Sequence, residues 1–155
     1  MVETDMDPRV KRAIEAFNDH DPDRLMDEMA EGSTFTDPLE EDITGTELHE
    51  YTVGIFEAFP DIRLEVTRAI TAREGVTAIE GNYAGTHEGP LEGIPPTGNT
   101  VVVPTMTVID VSDTGITSWR DYWDQQTFSE QVGLTFPDII PLIPKIAVAK
   151  IRESI

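Results

Sequence analysis

The chain has no cysteine, so neither disulfides nor thiolate chemistry is available to it. It has three lysines, Lys11, Lys145 and Lys150, and sets 11 bases against 30 acids. The resulting net charge of −19 repels phosphate backbones, which argues against nucleic acid as a partner. It weighs equally against an anionic membrane surface. Histidine occurs at His20, His49 and His87, never at metal-ligand spacing, so no metal is expected. No nucleotide-binding motif is present, and no cofactor is expected. No apolar run reaches the roughly 18 residues that a membrane-spanning helix needs. The first five residues are acidic and lack the basic and apolar regions of a signal peptide. These absences predict a cytoplasmic protein. The acids are spread along the chain and not massed in one block. That fits a surface adapted to the high-salt cytoplasm of a halophile better than it fits a single cationic partner.

Against this background one stretch stands out, Gly115 to Asp124, which reads Gly-Ile-Thr-Ser-Trp-Arg-Asp-Tyr-Trp-Asp. It follows a turn at Asp113-Thr114 and has strand character. Strand side chains alternate faces, so Trp119, Asp121 and Trp123 share one side. Arg120 and Tyr122 take the other, toward a helix layer or a partner subunit. If the tryptophan face is buried, desolvation raises the Asp121 pKa toward the range useful for general acid–base chemistry. The alternative is a solvated Asp121 beside tryptophans that merely cap a sheet. Asp124 suits the cap of a following short helix, Gln125 to Val132, ended by Gly133.

In chain order, Asp7-Pro8 and Asp21-Pro22 each start a helix. Val10, Ala13, Ile14 and Phe17 mark the apolar stripe of the first. Leu25, Met26 and Met29 mark the second, with Gly32 as its end. Ser33 to Asp37 reads as a short strand stopped by Pro38, with Phe35 and Asp37 on one face. Thr46 caps a third helix that carries Leu48, Tyr51, Ile55, Phe56 and Phe59. After Pro60 the apolar period changes from 3.6 to 2. Long strands then run to about Ala72, from Val76 to His87, from Thr100 to Val111, and through Gly115 to Asp124. Turns between most of them are of hairpin length, which predicts an antiparallel sheet. The class is α+β, with three N-terminal helices packed on one face of a curved sheet. Such a cone leaves a pocket at its mouth, suited to an apolar small molecule. The loop Glu88 to Asn99 is rich in Gly and Pro and predicts a mobile lid, with Ile94 as its apolar plug. Residues 1–135 form one domain. Residues 136–155 are too apolar for a solvated tail and are expected to dock on the body or on a partner, with a helix from about Lys145. Neither face of the third long strand is cleanly polar, which predicts a homodimer through the outer sheet face.

This order of elements resembles the nuclear-transport-factor-like fold, a cone-shaped α+β barrel shared by ketosteroid isomerases, limonene epoxide hydrolases and SnoaL-like polyketide cyclases. The resemblance to the SnoaL-like group is carried by Gly85-Thr86-His87, Gly93-Ile94-Pro95-Pro96-Thr97-Gly98, Asp113-Thr114-Gly115-Ile116, Trp119-Arg120-Asp121-Tyr122 and Gln131-Val132-Gly133. It spans roughly residues 8 to 134. In those cyclases a pocket aspartate on the last long strand is the acid/base of an intramolecular aldol closure, and Asp121 matches it.

The resemblance implies a small cofactor-independent cyclase or isomerase acting on an apolar carbonyl compound. It brings the first short strand to the pocket, so Phe35 and Asp37 become substrate-binding candidates, with Trp119, Trp123, Tyr51 and Ile94. Asp37 has a second reading as an Asp-Pro turn former. His87 is a catalytic candidate as a partner of substrate oxygen or Asp121; alternatively it is a strand-end histidine bonded to backbone. Tyr51 and Tyr83 are possible oxyanion donors of the isomerase type. The epoxide hydrolases add an Arg-x-Asp pair on a neighbouring strand. Here Gly81-Asn82-Tyr83-Ala84-Gly85 offers neither residue, so that reading stands second. A non-catalytic ligand-binding module on the same fold is the remaining alternative.

Overall fold

Asp7-Pro8 and Asp21-Pro22 both start helices, as expected. The computed structural model describes residues 6–135 and 139–153. Helix α1 is Pro8–Asn18, and the Asp7 carboxylate accepts from the Arg9 backbone N–H at 2.8 Å. Helix α2 is Pro22–Asp27, and the Asp21 side chain caps it by accepting from the Arg24 N–H. It ends earlier than its methionine stripe suggested. Met29 to Gly32 already belong to strand β1, Met29–Thr36, where strand pairing overrides helical spacing. Gly32, with φ of 76°, marks a bulge between Met29 and Thr34 and is not a helix stop. Helix α3 is Gly45–Ala58, with Thr44 and not Thr46 at the N-cap position, where its side chain makes no capping hydrogen bond.

Four strands follow: β2 Arg63–Thr71, β3 Val76–Thr86, β4 Thr100–Ser112 and β5 Gly115–Trp123. The sheet order is β1-β5-β4-β3-β2, curved and unclosed. The four long strands are antiparallel, joined by tight turns except between β3 and β4. The first strand departs from the all-antiparallel expectation, because β1 lies parallel to β5, with Phe35 beside Trp119. A parallel partner needs a long crossover, and residues 37–114 supply it. Helix α4, Gln125–Val132, has the expected ends: Asp124 accepts from the Thr127 N–H, and Gly133 closes it at φ of 91°.

Strand β4 shows how the layers are set. Val101, Val103, Thr105, Thr107 and Ile109 are buried, whereas Val102 and Met106 between them are exposed. The helices cover the buried face. One core cluster joins Val10, Ala13 and Ile14 of α1 to Leu64, Ile79, Ile109 and Trp119 of the sheet. A second joins Ala58 and Phe59 to Val101, Val103 and Val132. The outer face carries Ile70, Val102, Met106 and Tyr122 in the open. Arg120 also lies on that side and pairs with Asp110 at 2.8 Å. Arg120 and Tyr122 therefore do not face the helix layer.

The described part of the tail forms a 3-10 turn, Ile140–Leu142, and helix α5, Ile143–Glu153. The helix starts two residues before the expected Lys145, because Pro144 falls in its first turn, where its missing N–H is harmless. Ile140, Ile143, Val148 and Ile151 are exposed within the single chain. Among the described residues no helix is long and apolar enough to cross a membrane.

Asn18, the last residue of α1, ties that helix to the edge strand. Its amide accepts from the Leu64 N–H at 2.8 Å and donates to the Leu64 carbonyl at 3.1 Å. Asn18→Ala leaves both backbone groups unpaired beside a buried side chain. A loss of about 2 kcal/mol in urea unfolding is expected. A loss below about 0.5 kcal/mol would show that water replaces the amide freely.

Candidate functional site

Asp121 lies at mid-strand on the buried face of β5, opposite Thr107 of β4, and is 5% exposed. Its Oδ1 accepts from the Thr107 hydroxyl at 2.6 Å and from the Trp119 indole N–H at 2.9 Å. Its Oδ2 accepts from the Tyr83 hydroxyl at 2.8 Å. All three donors are neutral. Burial pushes the carboxyl up to about 6 from an ordinary 3.8, and the charge of Asp37 pushes the same way. The three hydrogen bonds oppose that rise without cancelling it. Both indoles were expected to exclude water and to wall the pocket. Trp119 does more, because its N–H also binds the carboxylate. Trp123 lines the cavity and packs on Phe128 with centroids 5.4 Å apart.

The cavity in front of Asp121 has a volume of about 110 Å³, and its lining draws on both core clusters. Of the twenty described residues that line it, eight are aromatic. Asp37, Phe35 and Tyr51 are among them. Asp37 forms the turn and also lies in the cavity wall. Its Oδ1 accepts from the Leu39 and Glu40 N–H groups at 2.7 and 2.8 Å, which makes the turn. Its Oδ2 accepts from the Tyr51 hydroxyl at 2.7 Å, inside the cavity wall. Burial is the main reason the Tyr51 phenol is pushed far up, with the Asp37 charge second. Tyr51 therefore stays protonated and donates.

Two candidates lie elsewhere. His87 is fully buried, and its ring stacks on Phe59 at 5.3 Å. Its Nδ1 accepts from the Thr97 N–H at 3.2 Å, which leaves the ring proton on Nε2. Burial pushes its pKa down. None of the three donors to Asp121 is His87, and His87 is not among the described lining residues. It anchors the loop after it: the His87 N–H donates to the Asn99 carbonyl, and its own carbonyl accepts from Gly98. In that loop Leu91 reaches the cavity, whereas Ile94 is absent from the described lining. Leu91 and Ile94 bond to each other through their backbones, which folds the loop tip and turns Leu91 inward. Gly89 is needed for close approach, since a Cβ there would sit 2.0 Å from the Glu57 carbonyl oxygen.

Thr107 was missed, and Tyr83 was weighed as an oxyanion donor but not as a partner of Asp121. Thr107 sits on β4, and Tyr83 sits on β3, which is separated from β5 by β4. The strand carrying Tyr83 is therefore not the direct neighbour of β5, and the phenol reaches across β4. No local pattern announces such a contact. The signal that could have found Tyr83 is its parity with Ile79 on a strand whose inner face is buried.

The profile of the SnoaL-like polyketide cyclases matches residues 9–132. The chain belongs to that family. No curated protein matches it. Among solved structures it is similar to a protein of ketosteroid isomerase-like fold from Catenulispora acidiphila, solved in complex with trimethylamine. Identity is 22%, the TM-score is 0.71, and the match covers 84% of this chain and 96% of that one. It is similar to a provisionally designated SnoaL-like polyketide cyclase from Jannaschia sp. CCS1, at 20% identity, TM-score 0.70, and 83% and 96% coverage. AclR of Streptomyces galilaeus, provisionally designated a hydroxylase, matches at 20% identity, TM-score 0.71, and 82% and 94% coverage. At these identities the likeness is one of fold. Among the described residues no group of His, Cys, Asp and Glu is arranged to hold a metal ion.

The raised carboxyl makes stability depend on pH in a defined direction. Between the unfolded value near 3.8 and the folded value of about 6, the native chain holds a proton that the unfolded chain has released. Stability from this group is thus complete below about pH 4 and is lost as pH rises through about 6. Two pKa units correspond to roughly 3 kcal/mol. Asp121→Asn lacks the titration. Its stability relative to the parent should rise by about that amount between pH 4 and pH 8 in denaturant unfolding. Parallel pH profiles for the two chains would mean that Asp121 ionises as an ordinary carboxylate.

Proposed function

We propose that the protein is a cofactor-independent cyclase or isomerase in which Asp121 is the general acid/base for an apolar carbonyl substrate. One observation carries this reading: a buried carboxyl with a pKa of about 6 faces an open cavity walled mainly by apolar and aromatic side chains. A base near neutral pKa accepts and returns a proton with the least mismatch. In an intramolecular aldol closure the Asp121 carboxylate removes a proton from the carbon beside a carbonyl. The enolate carbon then forms the new C–C bond to a second carbonyl carbon of the same molecule. The second oxygen takes the proton back from the Asp121 carboxyl. Nothing is consumed, and no redox step is involved. Isomerisation uses the same first step and returns the proton to a different carbon.

The wall also supports a division of tasks. Tyr83 and Thr107 fix the carboxylate in one orientation, and Trp119 holds Oδ1 from the side. The remaining acceptor site on Oδ2 is left for the substrate proton. Epoxide hydrolysis draws less support, because the described lining has no arginine to position a second carboxylate. The non-catalytic module would be favoured by a filled cone, and the open cavity speaks for a ligand. We place a homodimer on the outer sheet face, where Val102, Met106 and Tyr122 are exposed.

The experiment does not need the natural substrate. The first chemical step exchanges a proton beside a carbonyl, so small cyclic ketones in deuterium oxide are usable probes. The parent chain should accelerate deuterium uptake, with a rate that falls below about pH 6 as Asp121 protonates. Asp121→Asn should lower the rate by roughly 10²–10⁴-fold. An unchanged exchange rate in a folded Asp121→Asn variant would remove Asp121 from the chemistry.

A further inference from the structure

The two carboxylates of the cavity are built alike. Each has one oxygen that accepts two hydrogen bonds: Thr107 and Trp119 at Asp121, and the Leu39 and Glu40 amides at Asp37. Each has a second oxygen that accepts one tyrosine hydroxyl, from Tyr83 at Asp121 and from Tyr51 at Asp37. A carboxylate oxygen has room for about two acceptor contacts, so each Oδ2 keeps one site open. All of these donors are neutral. Neither carboxylate has a lysine, arginine or histidine beside it in the described lining.

This arrangement selects against most ligand classes. A carboxylate or phosphate ligand would meet two acids and no base in a low-dielectric space, where like charges repel strongly. A neutral apolar ligand fits the walls but leaves the Asp37 charge without a counterion. An ammonium ion on an apolar frame satisfies both. Its charge is balanced by the carboxylate, and its methyl or methylene groups meet aromatic rings. Phe35 and Tyr51 pack on each other at 5.7 Å, and the Tyr51 hydroxyl is the one that holds Asp37. Rings beside a carboxylate are the combination that binds weakly hydrated ammonium groups, through the ring quadrupole and the anion together. The body adds to it, since a net charge of −19 draws cations toward clefts.

We propose that the cavity binds an apolar ligand carrying an ammonium group, with the cationic nitrogen at Asp37 and the Phe35–Tyr51 ring pair. The Asp121 end is then left for the rest of the molecule. Where the acid/base reading holds, the substrate is an apolar amino ketone, its carbonyl at Asp121 and its nitrogen at the far carboxylate. The binding claim stands without that reading, because it concerns Asp37 and is read by affinity and not by turnover.

The test uses matched probes on the full chain by calorimetry or ligand-observed NMR. Choline carries a trimethylammonium group; 3,3-dimethylbutan-1-ol has the same shape with carbon in place of nitrogen; 3,3-dimethylbutanoate carries the opposite charge. Choline should bind at least about tenfold more tightly than the neutral alcohol, the scale of a desolvated cation–π contact. The carboxylate should bind more weakly than either. Asp37→Asn keeps the turn acceptor at Leu39 and Glu40 and should abolish the preference for choline over the alcohol. Equal affinity for choline and the alcohol in the parent chain would overturn the proposal, as would no choline binding at millimolar concentration. A preference that persists in folded Asp37→Asn would overturn the assignment to Asp37. The probe series is measured on the parent chain, so the main result does not depend on the variant folding. Loss of ketone exchange in Asp121→Asn with choline preference intact would separate the two proposals.

Discussion

A carboxylate sunk in an apolar wall constrains everything around it. Removing a carboxylate from water without partners costs far more than a small domain can supply. Asp121 is tolerable because three neutral donors from three strands converge on it, and because its pKa can rise to about 6. Each donor has to arrive from a particular register. Thr107 stands opposite Asp121 in the β4–β5 ladder, and a slip of one residue would turn it outward. Tyr83 must be on the inner face of β3 and must reach over β4. The sheet's register and its curvature are therefore conditions for the site.

The helices complete the arrangement. If the inner face were open, water would reach Asp121 and its pKa would settle near that of an ordinary carboxylate. Helix α1 covers one half of the face with Val10, Ala13 and Ile14. The end of α3 covers the other with Ala58 and Phe59. The space between these two packed patches is the cavity, which is why its lining draws on both. Strand β1 closes the side: running parallel to β5, it brings Phe35 beside Trp119 and leaves Asp37 just past its end, at the cavity wall.

Much of this was legible in the residues, and the limits of legibility have physical reasons. The alternation of Trp119, Asp121 and Trp123 put a carboxyl between indoles, and the helix caps at Asp7, Asp21 and Asp124 are local signals that hold. The resemblance to SnoaL-like cyclases made Asp121 the leading candidate. It did not make His87 a neighbour of Asp121, because a strand-end histidine in a Gly- and Pro-rich stretch reads the same whether it points to a pocket or holds a loop. Leu91 and Ile94 were indistinguishable by type, and only the folded loop separates them, with Leu91 buried at the cavity. Met29 followed the helical period of Leu25 and Met26, yet strand pairing with β5 overrides that period. Tyr83 and Thr107 depend on which strands are neighbours and in what register. That information lives in long-range pairing and not in any short window.

The same distinction bears on charge. Composition shows an acidic chain, and the spread of its acids reads as surface adaptation. It cannot show that two of the thirty acids face one cavity together, because Asp37 and Asp121 are 84 positions apart. On the surface each carboxylate is solvated and screened within roughly a Debye length. In the cavity the two feel each other, and the charge of Asp37 is one cause of the raised Asp121 pKa. A cation entering between them would be attracted by both and would offset the Asp37 contribution to the raised Asp121 pKa, which is smaller than that of burial. Ligand charge and acid/base poise are then linked through the same pair, so a charge bound at Asp37 shifts the pKa that burial has already raised at Asp121.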